Sequence, residues 1–85
     1  MPASAGKNVQ VRYYALLREE RGLDAEWLST EAKTLSDLYK QLKERHDLSL
    51  GQERMSVAIN DSFANWQDSF SENDVIVFLP PVAGG

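Results

Sequence analysis

The residues with the most distinctive chemistry close the sequence: Gly84 and Gly85, after Pro80, Pro81, Val82 and Ala83. Neither glycine has a Cβ, so this stretch can enter a narrow channel, and a nucleophile can reach the Gly85 carbonyl unhindered. The Gly85 carboxylate is the chemical handle. It is inert as it stands, because its oxygen is a poor leaving group, and adenylation by ATP would turn it into an acyl electrophile. Loose glycines at a frayed chain end are the plainer alternative. Placement favours chemistry, since a strand, two prolines, a small spacer and the glycines follow one another without a break.

The elements before the glycines must present them. Val75 to Leu79 reads as a strand, and Pro80-Pro81 stops sheet pairing and starts a stiff polyproline-type segment. From Pro80 onward the chain can reach roughly 20 Å from the domain. Val75-Ile76-Val77-Phe78-Leu79-Pro80-Pro81-Val82-Ala83-Gly84-Gly85 resembles the ending of the small subunits of molybdopterin synthase, a family of ubiquitin-like sulfur carriers in molybdenum cofactor synthesis.

The resemblance implies a route. A partner related to ubiquitin-activating enzymes would adenylate Gly85 with ATP, and a persulfide would supply sulfur to leave a thiocarboxylate. The tail would enter a pocket of the synthase large subunit and deliver sulfur to cyclic pyranopterin monophosphate, in a heterotetramer with the small subunits at its ends. On this reading the chain is no enzyme by itself, the catalytic groups lie on the partner, and the chain holds neither cofactor nor metal. Pro80, Pro81, Val82 and Ala83 would lie along the partner.

Composition sets the frame. The chain has 85 residues, 42% of them hydrophobic, enough for one small core. With no cysteine, sulfur would have to ride on something other than a side-chain thiol. A net charge of −4 argues against nucleic acid and permits a basic protein partner. The first residues show no signal peptide, and no run is long enough for a membrane span, so a cytoplasmic location is expected.

Residues 1–8 are expected to be a disordered leader and 9–85 a single domain with a projecting tail, 80–85. Val9, Val11 and Tyr13 alternate with Gln10 and Arg12, predicting a half-buried strand. Leu16 to Arg21 predicts a helical turn closed by Gly22. Ala25 to Thr30 predicts a second strand, Leu28 inward and Trp27 outward. Thr34 caps a helix whose stripe is Leu35, Leu38, Tyr39 and Leu42, with Asp37 completing a capping box and Lys43, Arg45 and His46 in its last turn. Met55 to Ile59 predicts a third strand, Asn60-Asp61 a turn, and Ala64 to Trp66 a short strand in an otherwise irregular stretch. Ser71 to Asp74 predicts a tight turn before the last strand.

This order, with strands one and two as a hairpin and the last strand beside the first, is an α+β β-grasp fold: a mixed sheet of four to five strands with one main helix across one face. The resemblance covers Val9 to Gly85. Ala15, Arg18, Glu19 and Gly22 echo the family's segment after strand one, and Asp74 matches the acidic half of its Gly-Asp turn. Asn73 departs from the usual glycine but tolerates left-handed backbone. Ala83 replaces a common Ser or Thr, and the leader is longer than usual.

Strand alternation puts Tyr14, Val77 and Leu79 on the sheet face away from the helix, with Phe63 joining them from the loop. Such a cluster marks a docking patch, against the plain reading that single surface hydrophobes are ordinary. It would bind the large subunit and, through overlapping residues, the adenylating enzyme. Arg18 reads as a solvated face before a docking residue, His46 as a helix-end charge before a metal ligand, and Asp37, Glu44 and Asp47 as solubilising charges. Gly22 and Gly51 read as backbone devices, and the sequence leaves Trp27 and Trp66 undecided between surface and core. Two rival functions share the fold: a sulfur carrier for thiamine or tRNA thiolation, and a protein modifier forming isopeptide bonds through Gly85.

Overall fold

The computed structural model describes residues 6–81. The expected actions of Val82, Ala83, Gly84 and Gly85 therefore lie outside the described residues. The elements in chain order are β1 (Lys7–Tyr13), α1 (Ala15–Arg21), β2 (Ala25–Thr30), α2 (Leu35–His46), a 3-10 turn (Gln52–Arg54), β3 (Ser56–Ile59), β4 (Ser62–Ala64) and β5 (Val75–Leu79). One sheet holds all five strands in the order β2-β1-β5-β3-β4. β1 and β5 run parallel, and the other pairs are antiparallel. This is the β-grasp arrangement, with β5 in the middle of the sheet.

α2 covers one face of that sheet. Leu35, Leu38, Tyr39 and Leu42 are buried against Val9, Val11, Tyr13, Ile76 and Phe78. Each large side chain removed from water contributes ~1.5–3 kcal/mol before entropy is subtracted. The start of α2 is fully satisfied. Thr34 Oγ1 accepts from the Asp37 amide (3.1 Å), while the Leu35 and Ser36 amides donate to the carbonyls of Asp68 and Trp66. At its other end Asp47 takes a left-handed conformation, φ 55°, and its amide donates to the Lys43 carbonyl. Asp47, expected only to solubilise, is thus the helix's C-terminal cap.

Three aromatic rings fasten the helix to the sheet. Trp66 stacks on Phe78, with centroids 5.9 Å apart and planes 6° from parallel, and Tyr39 tilts against both. The Tyr39 hydroxyl donates to the Leu50 carbonyl, and burial pushes its pKa up to about 12. Trp66 therefore belongs to the core, whereas Trp27 is 58% exposed on the outer strand β2.

Two expectations need correction. Lys7 and Asn8, expected in a disordered leader, belong to β1. Lys7 Nζ donates to the Phe70 carbonyl, Asn8 N–H to the Glu72 carboxylate, and the Asn8 carbonyl accepts from Asn73 N–H. Those partners are some 60 residues away in sequence, so local pattern does not reveal them. The short strand is Ser62–Ala64, not Ala64 to Trp66, because the Asn60-Asp61 turn returns the chain directly onto β3. Strands β1 and β2 pair antiparallel as expected, joined through the helical segment expected between them, α1, which Gly22 closes.

Two turns confirm their chemistry. Asn60 and Asp61 both have positive φ, 50° and 74°, as a type I′ hairpin turn requires. Asn73 stands at φ 70°, so asparagine does adopt the left-handed backbone at the family's glycine position.

Candidate functional site at the root of the C-terminal tail

β5 divides its side chains between two environments. Ile76 and Phe78 are fully buried under α2, while Val75, Val77 and Leu79 emerge half-buried on the opposite, uncovered face. Register carries one row across that face: Arg12 beside Val77, Val77 beside Ala58, and Ala58 beside Phe63. Ala58 is small, so Phe63 and Val77 flank a shallow depression of about 230 Å³, which Tyr14, Leu79 and Asp61 complete. The four residues expected to cluster, Tyr14, Phe63, Val77 and Leu79, are brought together here.

Local backbone fixes each wall. Phe63 follows the Asn60-Asp61 turn and is 79% exposed. Tyr14 is the extended residue that opens α1, φ −132°, and its carbonyl accepts from the Leu17 amide at 3.1 Å. Ala15, next to it, is held at φ 52°, a left-handed conformation that costs an alanine ~1–2 kcal/mol. The chain turns sharply there, leaving Tyr14 43% exposed and Leu16 41% exposed while Leu17 goes to the core.

Two larger hollows flank Pro80 and Pro81. One, about 740 Å³, lies on the α1 side between Tyr14, Leu16, Leu50 and the prolines, with Arg54 at its border. The other, about 550 Å³, lies on the β3 side against Phe63, Met55 and Glu53, and Arg54 borders it as well. Pro80 and Pro81 thus leave the sheet between side chains that are mostly apolar. Leu16, Leu50 and Arg54 in these hollows, and Ala58 and Asp61 in the depression, were missed in the sequence. Only Leu16 carried a signal: neighbours on a helix point about 100° apart, so Leu16 and Leu17 cannot both enter the core.

The remaining candidates stand elsewhere. Arg18 pairs with Asp24 at 3.6 Å with both side chains largely in water. Arg21 grips Glu26 through two hydrogen bonds, 2.8 and 3.0 Å, and the Tyr13 hydroxyl donates to the same carboxylate at 2.6 Å. The Arg21 bonds hold Glu26 below the usual carboxylate range, and burial followed by the Glu26 bond raises Tyr13. This trio joins β1, α1 and β2 away from the tail. His46 closes α2, its pKa lowered by burial and by Arg21. Asp37 and Glu44 lie exposed on α2. Among the described residues no three His, Cys, Asp or Glu side chains are grouped to hold a metal, and no helix is long and apolar enough to cross a membrane.

β5, central in the sheet, runs directly into Pro80-Pro81 between hollows lined largely by apolar side chains. The ThiS family pattern matches residues 11–85, through the final glycines. The chain belongs to the ThiS family. Among similar proteins, the molybdopterin synthase sulfur carrier subunit of Haemophilus influenzae is 31% identical over 80 residues, covering 91% of this chain and 99% of that one. Subunit 1 in the Helicobacter pylori complex of molybdopterin-converting factor subunits 1 and 2 is similar at TM-score 0.62 and 30% identity, over 92% of this chain and 99% of that one. The putative molybdopterin converting factor subunit 1 of Pyrococcus furiosus reaches TM-score 0.74 at 26% identity, covering 89% and 99%. The ThiS-family chain is thus matched over almost its whole length by proteins of like size.

Proposed function

We propose that this chain is the sulfur carrier subunit for molybdopterin synthesis and that Gly85 is its carrier residue. The observation that supports this most is the path of β5: buried on one side by α2, apolar and open on the other, and continuous into Pro80-Pro81. An adenylating partner converts the Gly85 carboxylate and ATP into an acyl adenylate and pyrophosphate. The outer sulfur of a persulfide displaces AMP, and a thiol then cleaves the acyl disulfide to release the thiocarboxylate. Gly84 lets this end pass into a narrow pocket of the large subunit, where sulfur moves to cyclic pyranopterin monophosphate. The chain contributes presentation and docking. The ATP belongs to the adenylating partner, and the groups that handle the pterin belong to the large subunit.

Tyr14, Phe63, Val77 and Leu79 form the docking face, and Pro80, Pro81, Val82 and Ala83 form the lead into the pocket. Intact-mass and C-terminal peptide analysis of protein isolated from its own cells tests the reading. The expected result is sulfur in place of one oxygen at Gly85. Isopeptide adducts between Gly85 and lysines of other proteins, with no thiocarboxylate, would make the chain a modifier and overturn it.

A further inference from the structure

We propose that the hollow on the α1 side of the tail root is a separate charged socket, which receives an apolar side chain and a neighbouring carboxylate of the synthase large subunit, with Arg54 pairing to that carboxylate. The inference rests on the function proposed above and deepens it by adding an electrostatic contact to an apolar docking face.

Three observations lead there. The hollow of about 740 Å³ is walled by Tyr14, Leu16, Leu50, Leu79 and the two prolines, and among the described residues Arg54 is the one charged side chain lining it. Leu16 is 41% exposed into this space, although its neighbour Leu17 already fills the core position of α1. The Arg54 guanidinium, moreover, has no hydrogen bond or ion pair with any described residue, as is also true of Arg12, Lys33, Lys40 and Arg45, but of these cations only Arg54 lines the hollow. Only its backbone is fixed, by the amide's bond to the Gly51 carbonyl at 3.1 Å.

Position strengthens the argument. Arg54 borders the hollows on both sides of Pro80-Pro81, so a body that encloses the tail must pass over it. Glu53 lines the hollow on the β3 side together with Arg54, whereas the α1-side hollow holds Arg54 without a described carboxylate, so the cation is uncompensated on that side. A cation covered by a partner without a counter-charge would weaken the complex, whereas a carboxylate placed there gains a charge-assisted bond in a site partly shielded by leucine and proline. A carboxylate flanked by an apolar side chain satisfies both parts of the hollow, and charges of this kind set register and partner choice as much as affinity.

The test is calorimetric titration of the full chain with the large subunit from the same organism, across a salt series. Arg54→Glu should weaken binding at least tenfold and Arg54→Gln severalfold, with a shallower salt dependence than wild type. Arg45→Glu, the same charge change on the exposed side of α2, should leave binding unaltered. Reversing one acidic residue of the large subunit to arginine should restore the Arg54→Glu complex. Equal affinities for Arg54→Glu and Arg45→Glu, in folded proteins that bind as wild type does, would overturn the socket. Absence of any complex with the wild-type chain would instead overturn the function on which it rests.

Discussion

Asn60 and Asp74 bond side chain to side chain, Nδ2 to Oδ1 at 2.9 Å, although they belong to different turns. Asn60 lies in the turn that leads to Phe63, and Asp74 lies immediately before β5. The same Asn60 side chain accepts from the Val75 backbone amide through Oδ1 at 2.9 Å, and the Asn60 backbone amide donates to the Val75 carbonyl at 2.8 Å. The Phe63 wall of the sheet-face depression is thereby bolted to the base of the strand that leads into Pro80-Pro81.

Asn60→Gly isolates that clamp. Glycine accepts φ 50° without strain, so the substitution removes only the two side-chain bonds. Each such bond contributes about 0.5–1.5 kcal/mol, and urea unfolding should show a loss of about 1–3 kcal/mol. Asn60→Ala should lose roughly 1 kcal/mol more, because alanine resists the left-handed region. Equal stability of wild type and Asn60→Gly would mean that water replaces the clamp at no cost.

Gly22→Ala tests the end of α1. Gly22 adopts φ 82°, and its amide donates to the Arg18 carbonyl at 2.8 Å. A Cβ built there meets nothing within 4 Å, so any cost comes from the backbone alone. A loss of about 1 kcal/mol in thermal or chemical unfolding is expected. A markedly larger loss would show that α1 shifts as a whole.

Acid stability should depend on Glu26. The two hydrogen bonds from Arg21, helped by the one from Tyr13, hold its folded pKa below the ordinary 4.5. The unfolded chain therefore binds this proton first as pH falls. The stabilisation is present above about pH 4.5 and is lost as pH drops through the folded value. Urea midpoints measured from neutral pH downward should fall in this window, and Glu26→Gln should be less stable at neutral pH with a flatter acid limb. Parallel curves for the two proteins would remove Glu26 from the acid response.

Much of this architecture is written in local sequence, because local forces set it. α2 is bounded by the Thr34 cap and carries its stripe at helical spacing, and β5 is bounded by a turn and by a residue that cannot donate to a sheet. The sheet face holding Tyr14, Val77 and Leu79 follows from simple alternation. What alternation cannot convey is distance across the fold. β4 has only three residues, none fully buried, and is defined by its pairing with β3. Trp66 reaches the core from an irregular segment, and Arg54 meets Leu16 at the tail root only once the sheet has formed.

Phe63 and Phe78 occupy opposite faces of one sheet. Phe78 is fully buried between Tyr39 and Trp66, while Phe63, two strands away, is 79% exposed. Truncating Phe78 opens a cavity in the core, so Phe78→Ala should cost about 3–5 kcal/mol. Phe63→Ala removes a side chain that water already surrounds, and its unfolding free energy should stay within about 0.5 kcal/mol of wild type. Its effect belongs to association, where losing an exposed aromatic anchor at a docking face should weaken the large-subunit complex about tenfold or more. Titration of Phe63→Ala alongside its melting curve checks both halves. Unchanged affinity with unchanged stability would leave the exposed ring without a docking role, and a lowered melting temperature would show that it supports the β3–β4 hairpin.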